Sequence, residues 1–476
     1  MGTVGLSFGS ATSGQGFDVT STVNQIVTNL QSVETPWKTQ LTSLQNKDSA
    51  LSSLGTQLST LTTDLQSLTD FNGVLANKTG SSSDTNVLEL TSAGSTAAAG
   101  THTVTVQNLA QTSSAASDAV AASDVLTGGI TFKIGSGSWQ TVNVGDDGSS
   151  STLSGLAAAI NAAGLGVQAS VLTDADGTER LSLVSQNGGS AGQITIANST
   201  NNPGGPTTLA DSTTSDSKIG LGLATIQNGI DANFTVDGVS LTSGTNTVSN
   251  AIPGVTFQLL STGNSGSTPE SVQVVIANDS SSIQSAISKF VDDYNTTIQA
   301  MNAQEGKDSS GSAEPLYGTA VLAQLQQGLL SAVSSSFGSG AVNSLIALGI
   351  TASASDDGTI TLDSNTLSDA LNNNFDQVVS FFQNSGNFGT TFAQTLNGLG
   401  NNSGAGGAIA LALSEDSSQE STLNGNISKQ EALIATQKTN LTTELNTANQ
   451  ILQSIPEQLK EVNEMYSAIT GYNQNG

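Results

Sequence analysis

The sequence predicts an α+β multidomain protein, in which a helical bundle or coiled coil built from both chain termini and internal helices carries inserted β-rich domains. Three observations predict it. Apolar residues recur every seven positions near each end of the chain, the apolar period falls to two across the middle, and helical spacing returns from Ile283 onward. A chain of 476 residues has room for about three domains.

Residues 1 to 17 hold mostly Gly, Ser and Thr around isolated Leu6, Phe8 and Phe17, too little apolar surface to fold alone. They are expected to form a flexible arm, and with the short helix that follows they make a first segment, 1–36. Asp18 can cap that helix, whose one face carries Val23, Ile26, Val27, Leu30 and Val33, before Pro36 interrupts it. In the next segment, 37–75, Trp37, Leu44, Leu51, Leu58 and Leu65 repeat by sevens, with Leu54, Leu61 and Leu68 at a second position. This is the seam of a packed helix. The far segment, 411–476, repeats the theme through Ile427, Ile434, Leu441, Ala448, Ile455, Val462 and Ile469, and Pro456 inside it is expected to make a joint between an inner piece, about 422–455, and an outer piece, 457–470.

If Pro36 and Pro456 lie level in an antiparallel pair, apolar residues meet throughout. Val23 then faces Ile469, Ile26 faces Tyr466, Val27 faces Met465, Leu30 faces Val462 and Val33 faces Leu459. The inner half continues with Trp37 on Ile455, Leu44 on Ala448, Leu51 on Leu441, Leu58 on Ile434 and Leu65 on Ile427. These twenty residues are the expected seam. Leu54, Leu61 and Leu68 would meet Lys438, Glu431 and Asn424, so they need another cover. Amphipathic stretches at Ile283–Met301 and Leu316–Val333, in a segment spanning 281–410, are the candidates. A short strand at 359–362, a helix at 367–382 and a Gly/Asn/Ser link at 398–407 complete that segment.

Strands of Val, Ile and Thr are expected at 101–106, 130–134, 141–144, 167–172, 181–184, 194–197, 234–236, 239–241, 255–260 and 272–276. Asp237-Gly238 and Asp176-Gly177 read as hairpin turns, and one helix with Leu153, Leu156, Ala157 and Ile160 on its buried face interrupts the strands. The stretch 198–217 reads as a link. We expect one β-rich domain from 76–110 with 195–280, and a second, 111–194, inserted into it.

Composition narrows the chemistry. With 11 Lys+Arg against 38 Asp+Glu the net charge is −27, which opposes nucleic-acid phosphates. No cysteine and one histidine remove disulfides, thiolate chemistry and zinc sites of several His or Cys ligands. No apolar run approaches the roughly 20 residues of a membrane span, and no Lys or Arg precedes Lys38, as the basic start of a cleaved signal peptide requires. Gly188-Gly-Ser-Ala-Gly192 matches a nucleophile elbow, but a strand is expected after it and His102 precedes it, so a Gly/Ser loop is the reading. Asp174, Asp176 and Glu179 lack the spacing of a calcium loop, and Asp146-Asp147-Gly148 and Asp356-Asp357-Gly358 are read as turns too. His102 reads as a strand residue. No catalytic residue, cofactor or metal is expected.

Gly16-Phe17-Asp18 through Ile26-Val27, Leu30, Glu34 and Pro36 look like the opening motif of the flagellar filament cap family, also called hook-associated protein 2. Gly100 to Gln111, Leu153 to Asn161 and Asp176 to Leu183 are similar to its flagellin-type insert module. Asn233 to Val239 with Ile252-Pro-Gly-Val-Thr256, then Ile287 to Asn295, Leu348-Gly-Ile350 and Asp357 to Asp363 follow in the family's order. The chain thus resembles this family over most of its length, departing in Phe17, where Leu is usual, and in its few charges. The resemblance implies an extracellular protein, exported without a cleaved signal peptide, that forms a homo-oligomeric ring, a pentamer, at the distal tip of the bacterial flagellum. Its terminal legs would reach into the filament so that flagellin folds and inserts beneath. Flagellin is the implied partner, with a hook–filament junction protein, an export chaperone and a host glycan or mucin as further ones. Another axial flagellar protein and an extracellular adhesin are the rival readings.

Overall fold

Heptad and two-residue periods separate in space as they do along the chain. A computed structural model describes residues 16–144, 152–198, 201, 207–211, 219–263, 269–338, 340–400 and 406–471. The chain divides into a helical unit, Met1–Asp70 with Gln284–Gly476, and a β-rich unit, Phe71–Ile283. Leu6, Phe8, the turn at 146–148 and most of the 198–217 link lie outside the described residues.

In the helical unit, α1 (Val19–Gln31) starts at Asp18, whose carboxylate accepts from the Ser21 N–H at 2.9 Å. A short turn leads to α2 (Thr35–Thr69), where Pro36 occupies the first turn and so costs no helical bond. Leu51, Leu54, Leu58, Leu61, Leu65 and Leu68 of α2 are all buried. α3 (Leu153–Ala163) belongs to the β-rich unit. The internal helices are α4 (Ser280–Ala303), α5 (Ala320–Ser334), α6 (Ser364–Asn373), α7 (Phe375–Gln383) and α8 (Phe388–Leu399). The helix expected at 367–382 is two helices, because Asn374 leaves the helical region (φ −136°) between them. The α8 stripe of Phe388, Phe392, Leu396 and Leu399 supplies a cover the expectation lacked. α8 and α7 pack on α2, and an aromatic cluster of Phe290, Phe337, Phe381, Phe382, Phe388 and Phe392 fills the space behind them.

α9 (Ala408–Thr470) is a single helix that runs through Pro456. No joint divides it into the two pieces expected there; the ring removes one backbone donor, and the neighbouring turns carry the helix across.

Two cores form in the β-rich unit. The first lies between a five-stranded sheet (78–82, 271–278, 100–108, 232–236 and 239–243, in spatial order) and a three-stranded one (247–249, 255–259, 88–93). Phe234 and Phe257 meet edge-on across it at 6.0 Å. The second core gathers Leu156, Ile160, Leu181, Leu183, Ile130, Phe132 and Ile194 beneath α3. Leu209 and Leu221 also belong to it, and strand 224–227 pairs with 112–116. The chain therefore returns to the first sheet near Ile230, where it pairs with Gln111, rather than at 195. Asp237 and Gly238, at φ +49° and +82°, make the expected hairpin turn between paired Val236 and Val239.

Candidate functional site on the terminal helices

Among the described residues, chemistry-bearing side chains do not converge on a pocket. Among the described residues no group of three His, Asp or Glu is placed to hold a metal, and no helix is long and apolar enough to cross a membrane. His102 Nδ1 sits 2.7 Å from Asp237 and fastens the hairpin turn beside its strand. Ser190, the centre of the apparent nucleophile elbow, donates its hydroxyl to Asp231 at 2.8 Å and lies in a short 3-10 turn followed by a strand. Both are structural.

The terminal helices hold the unusual surface. Val19, Val23 and Val27 of α1 and Ile434 of α9 form one small core, with Phe17, Leu30, Leu441 and Leu445 packed around it. Polar contacts fix its direction and register. The Phe17 N–H donates to Asn449 Oδ1 at 2.8 Å, Lys38 bridges Glu34 (2.8 Å) and Glu431 (3.2 Å), and Lys47 reaches Asp416 at 2.9 Å. The pair is antiparallel, and between these points Val23 falls level with Leu441, four heptads earlier on α9 than Ile469.

The level-proline register is therefore corrected. A strict seven-residue repeat gives the same apolar matches after any whole-heptad slip, so those matches could not select one register. The consequences divide the expected seam residues. Val23, Val27, Leu51, Leu58, Leu65, Ile427 and Ile434 are buried, and Ile26, Leu30, Trp37, Leu44, Leu441, Ala448 and Ile455 are half-buried. Leu58 lines a groove with Leu396 of α8, not with Ile434. Val33 is exposed, as are Leu459, Val462, Met465, Tyr466 and Ile469, with Ile469 at 82%. Leu452, Ile455, Leu459, Val462, Tyr466 and Ile469 alternate steps of three and four, so the outer third of α9 presents one continuous apolar stripe.

Charge is placed with equal economy. Asp416 is 1% exposed and its Oδ1 takes Lys47, while its Oδ2 and the Oδ1 of Asp48 are buried without a donor. Burial, then the facing Asp416 carboxylate and Glu420, push Asp48 up to about 6 against the pull of Lys47. The Asp48 and Asp416 carboxyl groups thus oppose each other across the α2–α9 contact. A related trio ties α2 to α4. Lys289 reaches Asp64 at 2.7 Å and Asp293 at 2.6 Å, and burial with the Asp293 contact raises Asp64.

Comparison with known families decides the assignment. Residues 229–474 match the model of the flagellar hook-associated protein 2 C-terminus, and residues 15–113 that of the N-terminus. The chain belongs to the flagellar hook-associated protein 2 family. It is 30% identical over 387 residues to the B-type flagellar hook-associated protein 2 of Pseudomonas aeruginosa, covering 77% of this chain and 78% of that one. To the flagellar hook-associated protein 2 of Escherichia coli it is 27% identical over 374 residues, 75% of this chain and 76% of the other. Among solved structures, the flagellar cap protein of Escherichia coli aligns with a TM-score of 0.55 at 25% identity, covering 77% of this chain and 99% of that one. The two matched stretches contain all of α1, α2 and α9. In this member of the hook-associated protein 2 family, then, both matched ends meet in one helical unit, and the α9 stripe lies on it.

Proposed function

We propose that this chain is the structural cap at the distal tip of the bacterial flagellar filament. Copies assemble into a ring, a pentamer, and the paired terminal helices serve as legs that reach into the open filament end. Beneath the ring flagellin folds, inserts and extends the filament instead of escaping into the medium, so the cap is required for motility. No covalent chemistry takes part; steric enclosure and exchange of apolar contacts do the work. A hook–filament junction protein and an export chaperone are the cap's further contacts.

Membership of the hook-associated protein 2 family carries this reading, and the α9 stripe supports it. Burying an exposed Leu, Val or Ile is worth roughly 1.5–3 kcal/mol, so a helix carrying such a row is built for an apolar partner. Deleting the gene in the source bacterium tests it. The expected result is short or missing filaments, monomeric flagellin in the medium and loss of swimming, all restored by the intact gene. Full-length filaments without leaked flagellin would overturn the assignment.

A further inference from the structure

Sulfur is scarce in this chain and unevenly placed. The sequence holds no cysteine and three methionines, of which Met1 lies outside the described residues. Met301 is sealed inside the helical unit at 0% exposure, whereas Met465 stands 60% exposed on the outer third of α9. Its position puts the thioether against the apolar stripe. Val462 lies three residues before it and Ile469 four after, the spacings at which side chains meet on one helix face, and both are exposed.

We propose that Met465 is an oxidation site through which a peroxide-class oxidant turns the outer α9 stripe from apolar to polar. A lone pair on the thioether sulfur attacks a peroxide oxygen. The S–O bond forms as the O–O bond breaks, and the departing hydroxide takes up a proton and leaves as water; sulfur loses two electrons and the peroxide gains them. Burial decides which sulfur reacts, because a sealed one such as Met301 is reached only when the unit opens. With no thiol in the chain to intercept the oxidant, Met465 is the first sulfur target among the described residues. Its product matters for the surface. A flexible apolar side chain becomes a sulfoxide, whose oxygen is a hydrogen-bond acceptor set between Val462 and Ile469, side chains with no donor to offer it. An apolar partner that covers the stripe then buries that oxygen unsatisfied, which weakens its hold. The inference stands apart from the cap assignment and holds whichever apolar partner the stripe takes.

The full chain tests it. Hydrogen peroxide is added in a time course, trypsin separates Met465 in peptide 461–476 from Met301 in peptide 290–307, and mass spectrometry follows the added oxygen in each. Met465 is expected to oxidise faster by on the order of tenfold or more, the ratio for a buried sulfur open in fewer than about one molecule in ten. A phenyl-agarose column reads the apolar surface of the intact protein on the same samples. The oxidised chain is expected to elute earlier, and methionine sulfoxide reductases of both stereospecificities with dithiothreitol should return it to its first position. Met465→Leu keeps the apolar bulk without the sulfur, and its elution should not move on the same treatment. Equal oxidation rates at Met465 and Met301, an unshifted elution of the oxidised chain, or an equal shift in the Met465→Leu chain would each overturn the proposal.

Discussion

Replacing Asp48 by Asn removes one of the two carboxylates that oppose each other between α2 and α9. The carboxyl titrates at 3.8 when free and at about 6 in the folded protein, so the folded state holds the proton more tightly. Its contribution is fully present below pH 3.8 and is lost as pH rises through about 6. At ~1.4 kcal/mol per pH unit the full displacement corresponds to roughly 3 kcal/mol. Asp48 is half-buried and Lys47 stands beside it, so solvent screening and the nearby cation bring the realised cost to about 1 kcal/mol. Asp48→Asn lets an amide N–H donate to the Asp416 Oδ2 that now lacks a donor. The variant is expected to unfold about 1 kcal/mol less readily than the parent above pH 7, a rise of ~2–4 °C in the midpoint of the helical unit. Its advantage should shrink to nothing or reverse on approach to pH 4. Thermal unfolding of both proteins, followed by far-UV circular dichroism from about pH 4 to 8, reads this. Taking the difference between the two removes the opposite slope from exposed carboxyls that hydrogen bonds hold below their ordinary range, such as Asp357 and Asp363. No gain above pH 7, or a gain independent of pH, refutes the reasoning.

Other perturbations separate scaffold from surface. Leu61→Ala empties a fully buried site on α2 and should cost about 2–5 kcal/mol in unfolding of the helical unit. Gly389→Ala forces a methyl group onto the Phe382 carbonyl (2.0 Å) and Thr69 (2.7 Å) where α8 meets α2, so the unit should lose about 1–3 kcal/mol in the same thermal assay. Leu459→Ser with Val462→Ser alters only exposed positions and should leave stability within about 0.5 kcal/mol. In a cap-deleted strain, however, the double variant should fail to restore filament length and swimming as judged by electron microscopy and soft-agar spreading.

Legibility in the sequence followed the uniqueness of each signal. The hairpin at Asp237-Gly238 and the buried face of α3 were readable because turn chemistry and a single amphipathic face admit one local solution. The short strand at 78–82, Lys-Thr-Gly-Ser-Ser, was not readable, since its place beside 271–278 comes from pairing and not from its own apolar content. α8 did carry a signal, the spacing of Phe388, Phe392, Leu396 and Leu399, and this helix packs on α2, where Leu396 lines a groove with Leu58. The candidate site shows the limit most sharply. Its residues were legible as a heptad row, but a periodic pattern leaves whole-heptad slips degenerate. The register was set instead by aperiodic polar contacts: Phe17 with Asn449, Lys38 with Glu431 and Lys47 with Asp416.

The position of α1 along α9 decides whether an apolar stripe remains free at the outer end of the leg, and one cross-linking comparison reads it. Val23→Cys is paired with Leu441→Cys in one chain and with Ile469→Cys in another, and both are oxidised at high dilution. The two α9 positions stand about 42 Å apart at ~1.5 Å per residue, whereas a disulfide spans only about 4.4–6.8 Å between Cα atoms. The register described here predicts a rapid intrachain disulfide with Leu441→Cys and none with Ile469→Cys; the reverse result would place the prolines level, cover the stripe with α1 and contradict it.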